Sequence, residues 1–218
     1  MANLQNPNGF SPVKSLISGG FPGQGNLYAI PTDASNTYAI GDVVMSLSSS
    51  DANGVRNVTK WGGATTTSAL PLGIIVGFAT PPVGLSLQGL PLSLEKQWLA
   101  KSSGAQYVYV NDDPFVIFEA QFDSTGATQA QLSMNAAVTV TADQTSTLST
   151  AAPYSNLVLT GPAVTATLPI RILGAVQRQQ NQVTSAASPF VRVLCKWNYH
   201  EYGVTPGASG SVVSYLAV

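Results

Sequence analysis

Along most of the chain apolar and polar residues alternate with the two-residue period of a β-strand rather than the 3.6-residue period of a helix. The clearest case is FVRVLCKWN (190–198). There Val191, Val193, Cys195 and Trp197 fall on one face and Arg192, Leu194 and Lys196 on the other. NTYAIGDVVMSL (36–47) alternates more loosely, and PLGIIVGFAT (71–80) is a near-continuous apolar run interrupted by Gly73 and Gly77. A strand buried on both faces, or one carrying a bulge, reads this way. AQYVYVND (105–112) and PFVIFEAQFD (114–123) flank an Asp-Asp-Pro turn, and AAVTVTAD (136–143), SNLVLT (155–160) and LPIRILGAVQR (168–178) follow. Many short strands separated by Gly, Pro, Asn and Ser predict an all-β chain, an antiparallel sandwich or barrel. Helical signal is confined to ATQAQLSMNAA (127–137) and SLEKQWLAK (93–101). DANGVRN (51–57) suits a hairpin turn, and the Ser/Thr-rich 144–152 reads as a surface loop.

Residues 1–26 differ from the rest. They hold three prolines and five glycines without sustained periodicity, which predicts an extended N-terminal arm before a single domain over 27–218. Phe10, Val13, Leu16, Ile17 and Phe21 are costly to leave in water, so the arm is expected to pack on something.

Composition narrows the function. The chain has 218 residues, 44% of them apolar, and only 9% are charged, against about 25% in an average soluble protein. The surface is therefore built from Ser, Thr, Asn, Gln and Gly, and a surface so poor in charge points to one that is covered in its working state. Net charge is −1 and the nine basic residues are scattered in sequence, so nucleic acid is not expected as a partner, and no run approaches the roughly 18 apolar residues of a spanning helix, so neither is a membrane. The opening MANLQNPNGF has no basic and apolar leader, which is read as a chain made and kept in a cytoplasm until it joins something.

The only cysteine and the only histidine, Cys195 and His200, are five positions apart. Cys195 sits in a row of core-type residues and no second histidine completes a metal set, so it is read as a core residue, with no catalytic, cofactor or metal site. Asp112 and Asp113 begin a turn before Pro114. Glu119 and Asp123 lie about 13 Å apart on an extended strand, too far for a glycosidase pair. GGFPGQGN (19–26) lacks the Gly-Lys-Ser/Thr ending of a phosphate loop, and NVT (57–59) is a chance glycosylation triplet. The aromatic run KWNYHEY (196–202) either covers the core or an oligomer interface, or lines a sugar site.

In order along the chain stand NPNGFSPV (6–13), YAI (28–30), GDVV (41–44), PLGIIVG (71–77), FVIFEAQFD (115–123), RILGAVQR (171–178) and FVRVLCKWNYHEYG (190–203). In this ordered set the chain resembles the decoration, or cement, proteins on the heads of tailed bacteriophages. Segment 144–169 and the tail after Gly203 fall outside the resemblance. It implies a β-sandwich or jelly roll bound outside a shell of major capsid protein, at the outer surface of the virion, clamping neighbouring subunits without catalysis. The arm residues Phe10, Pro12, Val13, Leu16, Ile17 and Phe21 would contact the capsid, docking into grooves or adding a strand to a neighbour's sheet. Deleting residues 1–24 is then expected to abolish head binding and leave the domain folded. Self-association is expected as a homodimer, the commonest closed symmetry, before a trimer. The competing class is a carbohydrate-binding β-sandwich, an adhesin or receptor-binding module. A hydrolase on a jelly roll is a third reading.

Overall fold

The strand signals condense into an almost purely β molecule in the computed structural model, which describes residues 3–17, 25–31, 37–63, 69–79, 92–93, 98–99, 106–140, 155–205 and 213–214. In chain order the strands are β1 (Ser11–Ser15), β2 (Asn26–Ile30), β3 (Tyr38–Ala39), β4 (Val43–Ser50), β5 (Arg56–Lys60) and β6 (Gly73–Ala79). There follow β7 (Leu92–Ser93), β8 (Trp98–Leu99), β9 (Gln106–Asn111), β10 (Val116–Gln121), β11 (Asn135–Val140) and β12 (Leu157–Ala163). The last are β13 (Ile170–Ala175), β14 (Arg192–Trp197), β15 (Val204–Thr205) and β16 (Val213–Ser214).

Two six-stranded sheets make the body. The first runs β1-β10-β14-β13-β11-β12, all antiparallel. Just past β10, Phe122 bridges Leu159 of β12, and the Asp123 N–H donates to the Leu159 carbonyl at 3.0 Å, so this sheet curls strongly. The second runs β4-β5-β2-β9-β6-β7, with one parallel pairing, β2 with β5. Its β4 pairs with β6 as well as β5, which closes five strands into a small barrel and removes their free edges.

Strand alternation then dictates two cores. Tyr28, Ile30, Val44, Val58, Ile75, Phe78, Val108 and Val110 belong to the cluster formed by the barrel strands. Val43 and Ile74 from the same strands, with Trp61 just after β5, join Phe118, Ile170, Ile172, Val193, Cys195 and Trp197 of the first sheet and Phe122 just past β10 in the core between the layers. The antiparallel sandwich expected from the sequence is thus the architecture observed, with one of its layers wrapped on itself.

The described part of segment 1–26 packs on this body. β1 pairs with β10 as the edge strand of the first sheet, with an irregularity between Pro12 and Lys14. Phe10 is 1% exposed, stacks on Trp197 with centroids 5.8 Å apart and meets Phe118 edge-on at 6.2 Å. Its N–H donates to the Gly41 carbonyl at 3.0 Å. Gly9 (φ +64°) and Gly41 (φ +90°) cross so closely that a Cβ on Gly9 would overlap the Gly41 carbonyl, and one on Gly41 the Asn8 carbonyl. Beside this crossing lies Asp42, fully buried, which accepts from the Ala39 N–H (2.9 Å), Ser155 Oγ (2.6 Å) and Lys60 Nζ (2.9 Å). Removing residues 1–24 therefore removes a sheet strand and a core ring, and a fully stable truncated body is no longer the expectation.

The helical reading of 127–137 gives way to strand. In 127–137 only Gln129–Gln131 turns, as one 3-10 turn steadied by the Thr128 N–H bonded to Gln131 Oε1 at 2.8 Å, and Asn135 already begins β11. Pairing with β12 and β13 overrides the Ala/Gln propensity there. The 93–101 stretch carries the end of β7 and all of β8, and its remaining residues lie outside the described ones. The 51–57 hairpin turn is as read: Asp51 Oδ1 accepts the Asn53 and Val55 N–H groups at 2.9 and 2.8 Å, with Gly54 at φ +80°. Segment 144–152 lies outside the described residues.

Candidate functional site

Cys195 lies mid-strand in β14, opposite Phe118 on one side and Ile172 on the other, with no exposure, and burial pushes its thiol pKa up. β14 ends at Trp197, and His200 tucks in behind it, 1% exposed, its ring 6.1 Å from those of Trp197 and Tyr202. His200 Nδ1 accepts the Tyr202 N–H at 3.1 Å, and Nε2 has no hydrogen bond of good geometry. Burial drives the imidazole pKa down to about 4, opposed in part by the charges of Asp112 and Asp113 and by the Leu72 backbone. Among the described residues no three His, Cys, Asp or Glu side chains gather around a common point.

Among the described residues the carboxylates are dispersed and each is committed. Asp112 accepts from Asn26 Nδ2 (3.0 and 2.9 Å) and the Tyr28 hydroxyl (2.7 Å). Asp113 caps its turn by accepting the Phe115 N–H at 2.9 Å, and takes Ser15 Oγ at 3.2 Å. Asp123 accepts Thr125 and Gly126 N–H groups and the Thr125 hydroxyl, which hold its pKa below the ordinary range although burial alone would raise it.

Glu119 stands apart. Arg178 grips it through two parallel bonds (2.9 and 2.7 Å) and Arg192 adds a third at 3.1 Å. Arg192 also donates to the Asn6 carbonyl at 2.5 Å, while Gln121 donates to the Leu4 and Phe190 carbonyls and accepts the Asn6 N–H, each at 2.9 Å. These groups line an open groove of about 730 Å³ between segment 3–8 and β10, with Phe190 held at φ +57° on its wall. The side-chain amides of Asn3, Gln121 and Asn181 in this groove are satisfied by backbone groups, so its clearest effect is to lace residues 3–8 onto the sheet. Nothing in the local sequence around Glu119 announces it, because its partners are 59 and 73 positions away.

The aromatic run 196–202 does not form one exposed platform. Trp197 is core, His200 is buried, Tyr199 donates to the Ala166 carbonyl, and the half-exposed Tyr202 hydroxyl receives Arg56 Nη1 at 2.9 Å.

The six arm residues also separate. Phe10 lies in the protein's own core and so is withdrawn from any contact set, Pro12 is half-buried, and Phe21 lies outside the described residues. Val13, Leu16 and Ile17 are 43, 54 and 71% exposed. Phe115, which the sequence reading did not single out, joins them: it is 46% exposed and its carbonyl accepts the Leu16 N–H at 3.0 Å. The open edge of β1 is poorly suited to accept another strand, because Pro12 lacks an N–H, Val13 falls at the irregularity and Lys14 adds charge. Its apolar side chains are what it offers.

No protein-family model matches the chain, and neither the curated proteins nor the solved structures yield a match.

Proposed function

We propose that this protein decorates the outside of a tailed-phage head, clamping neighbouring major capsid subunits. The observation that carries the reading is the group of exposed apolar residues Val13 on β1, Leu16 and Ile17 just after it and Phe115 just before β10, held by β10 pairing, by the Leu16–Phe115 backbone bond and by Phe10. A strip held this rigidly loses little entropy on docking, and burying each side chain contributes about 1–2 kcal/mol. Copies repeated over a lattice add such modest contacts into a large total. The low charge content and the ordered sequence resemblance support the same reading. In this account the clamp self-associates as a two-fold dimer and needs no cofactor. The test is sedimentation with purified, expanded, undecorated heads, comparing wild type with the triple variant Val13→Asp, Leu16→Asp, Ile17→Asp. Wild type should co-sediment and the variant should not; equal occupancy removes the strip from the interface, and no occupancy by either removes the reading.

A carbohydrate-binding role is the second reading, and the groove beside Glu119 is its specific support. Asn8, Gln180 and the exposed guanidinium of Arg178 line it with polar groups of the kind sugars use. Glycan-array binding that is lost in Arg178→Ala would favour it over the clamp.

A further inference from the structure

The basic residues, scattered in sequence, are not scattered in space. Lys96 and Lys101 lie outside the described residues, and Arg56 and Lys60 are paired with Glu201 and Asp42 in the barrel layer. The others, Lys14, Arg171, Arg178, Arg192 and Lys196, belong to β1, β13, β14 and the segment after β13, and they stand on the side of the first sheet turned away from the core. The alternation fixes this: Val193, Cys195 and Trp197 point inward, so Arg192, Leu194 and Lys196 point out. Register then assembles them. Lys14 is opposite Ile117, and Lys196 is directly opposite Arg171, whose other neighbour is Asn135. Among the described residues, Glu119 is the one carboxylate carried on the strands of this sheet, and Arg178 and Arg192 already neutralise it. Like charges directly across a strand pair destabilise a sheet. Among the described residues Arg171 has only Asn135 Oδ1 at 3.3 Å as a side-chain partner, and Lys196 has no side-chain hydrogen bond or ion pair. Leu194 and the 44%-exposed Leu173 lie among these charges, and the face runs on to the Val13–Leu16 strip.

We infer that this outer face of the first sheet is a docking surface for an acidic protein surface, whose carboxylates enter between Arg171 and Lys196. The interleaved leucines and Glu119 fit a protein partner, with its mixed apolar and charged contacts, better than the unbroken charge of a phosphate backbone. Complementary carboxylates would relieve the Arg171–Lys196 repulsion only in the complex and so set specificity and register. The inference rests on the decoration reading for its partner, the shell, and adds the chemistry that the shell must present.

The test uses the full chain, the charge reversal Arg171→Glu/Lys196→Glu and its neutral counterpart Arg171→Gln/Lys196→Gln, each checked for wild-type circular dichroism. Should the reversal misfold, the neutral variant carries the comparison. Binding is measured to poly-L-glutamate, to duplex DNA and to undecorated expanded heads, at low and high salt. Wild type should prefer polyglutamate to DNA, and the neutral variant should weaken polyglutamate and head binding about tenfold and the reversal about a hundredfold. Tighter binding to DNA, or equal polyglutamate binding by all three proteins, overturns the inference. Heads bound equally by all three overturn it and leave the decoration reading standing. Polyglutamate binding lost on reversal, with heads ignored by every protein, upholds the acidic-partner face and overturns the decoration reading.

Discussion

Phe10→Ala separates an arm that merely leans on the body from one that is part of it. The ring is 1% exposed and fills the core between the layers, stacked on Trp197 and edge-on to Phe118. Deleting a buried phenyl group leaves a cavity and costs about 3–5 kcal/mol, the loss of its two aromatic contacts included. In a chain of this size each kcal/mol moves the melting temperature by about 2–4 °C, so the transition should fall by about 10 °C. The assay is thermal and urea unfolding followed by circular dichroism, with Ile17→Ala as the control. Ile17 is 71% exposed, and its truncation should change stability by less than about 0.5 kcal/mol. If Phe10→Ala costs under about 1 kcal/mol, residues 3–17 are an accessory and the reasoning that ties β1 to the body is wrong.

Three further outcomes follow from the same packing. Asp42→Ala strands the Lys60 ammonium and the Ala39 N–H and should cost about 3 kcal/mol; a double-mutant cycle with Lys60→Ala, read by urea unfolding, should recover part of it. His200 has a folded-state pKa near 4, below the ordinary 6.5, so between these values the unfolded chain binds the proton more readily. Its contribution is complete above about pH 6.5 and lost as the pH falls towards 4, by about 3 kcal/mol in all, and His200→Gln should flatten that part of the stability–pH curve. Cys195, buried with its thiol pKa raised, should react with an aromatic disulfide reagent only at the rate of unfolding; fast labelling of the native protein would contradict its place in the core.

What could be read from the sequence was what depends on neighbours in the chain. β14 alternates because both its faces have plain environments, core on one side and the outer face on the other, and its burial follows the period residue by residue. The Asp51–Gly54 turn was legible for the same reason, since its bonds close within four residues. β10 was legible as a strand but not by its faces: all six residues are buried, Glu119 and Gln121 included, because Arg178, Arg192 and residues 4–6 reach over them from far away. β1 and β5, SPVKS and RNVTK, are short and polar and become strands only because β10, and β4 with β2, offer them edges. The helical reading of 127–137 failed where Val138 and Val140 found partners in Leu159 and Leu157. The basic face was invisible for a like reason: Lys14, Arg171 and Lys196 become neighbours through strand register alone.

The most direct measurement is cryo-electron microscopy of expanded heads reconstituted with the purified protein. The account predicts ordered density on the outer surface, astride the boundaries between capsid subunits, with β1 and the outer face of the first sheet turned towards the shell. Heads that stay bare at saturating protein, or density that meets the shell through the barrel layer with β1 facing solvent, would contradict it.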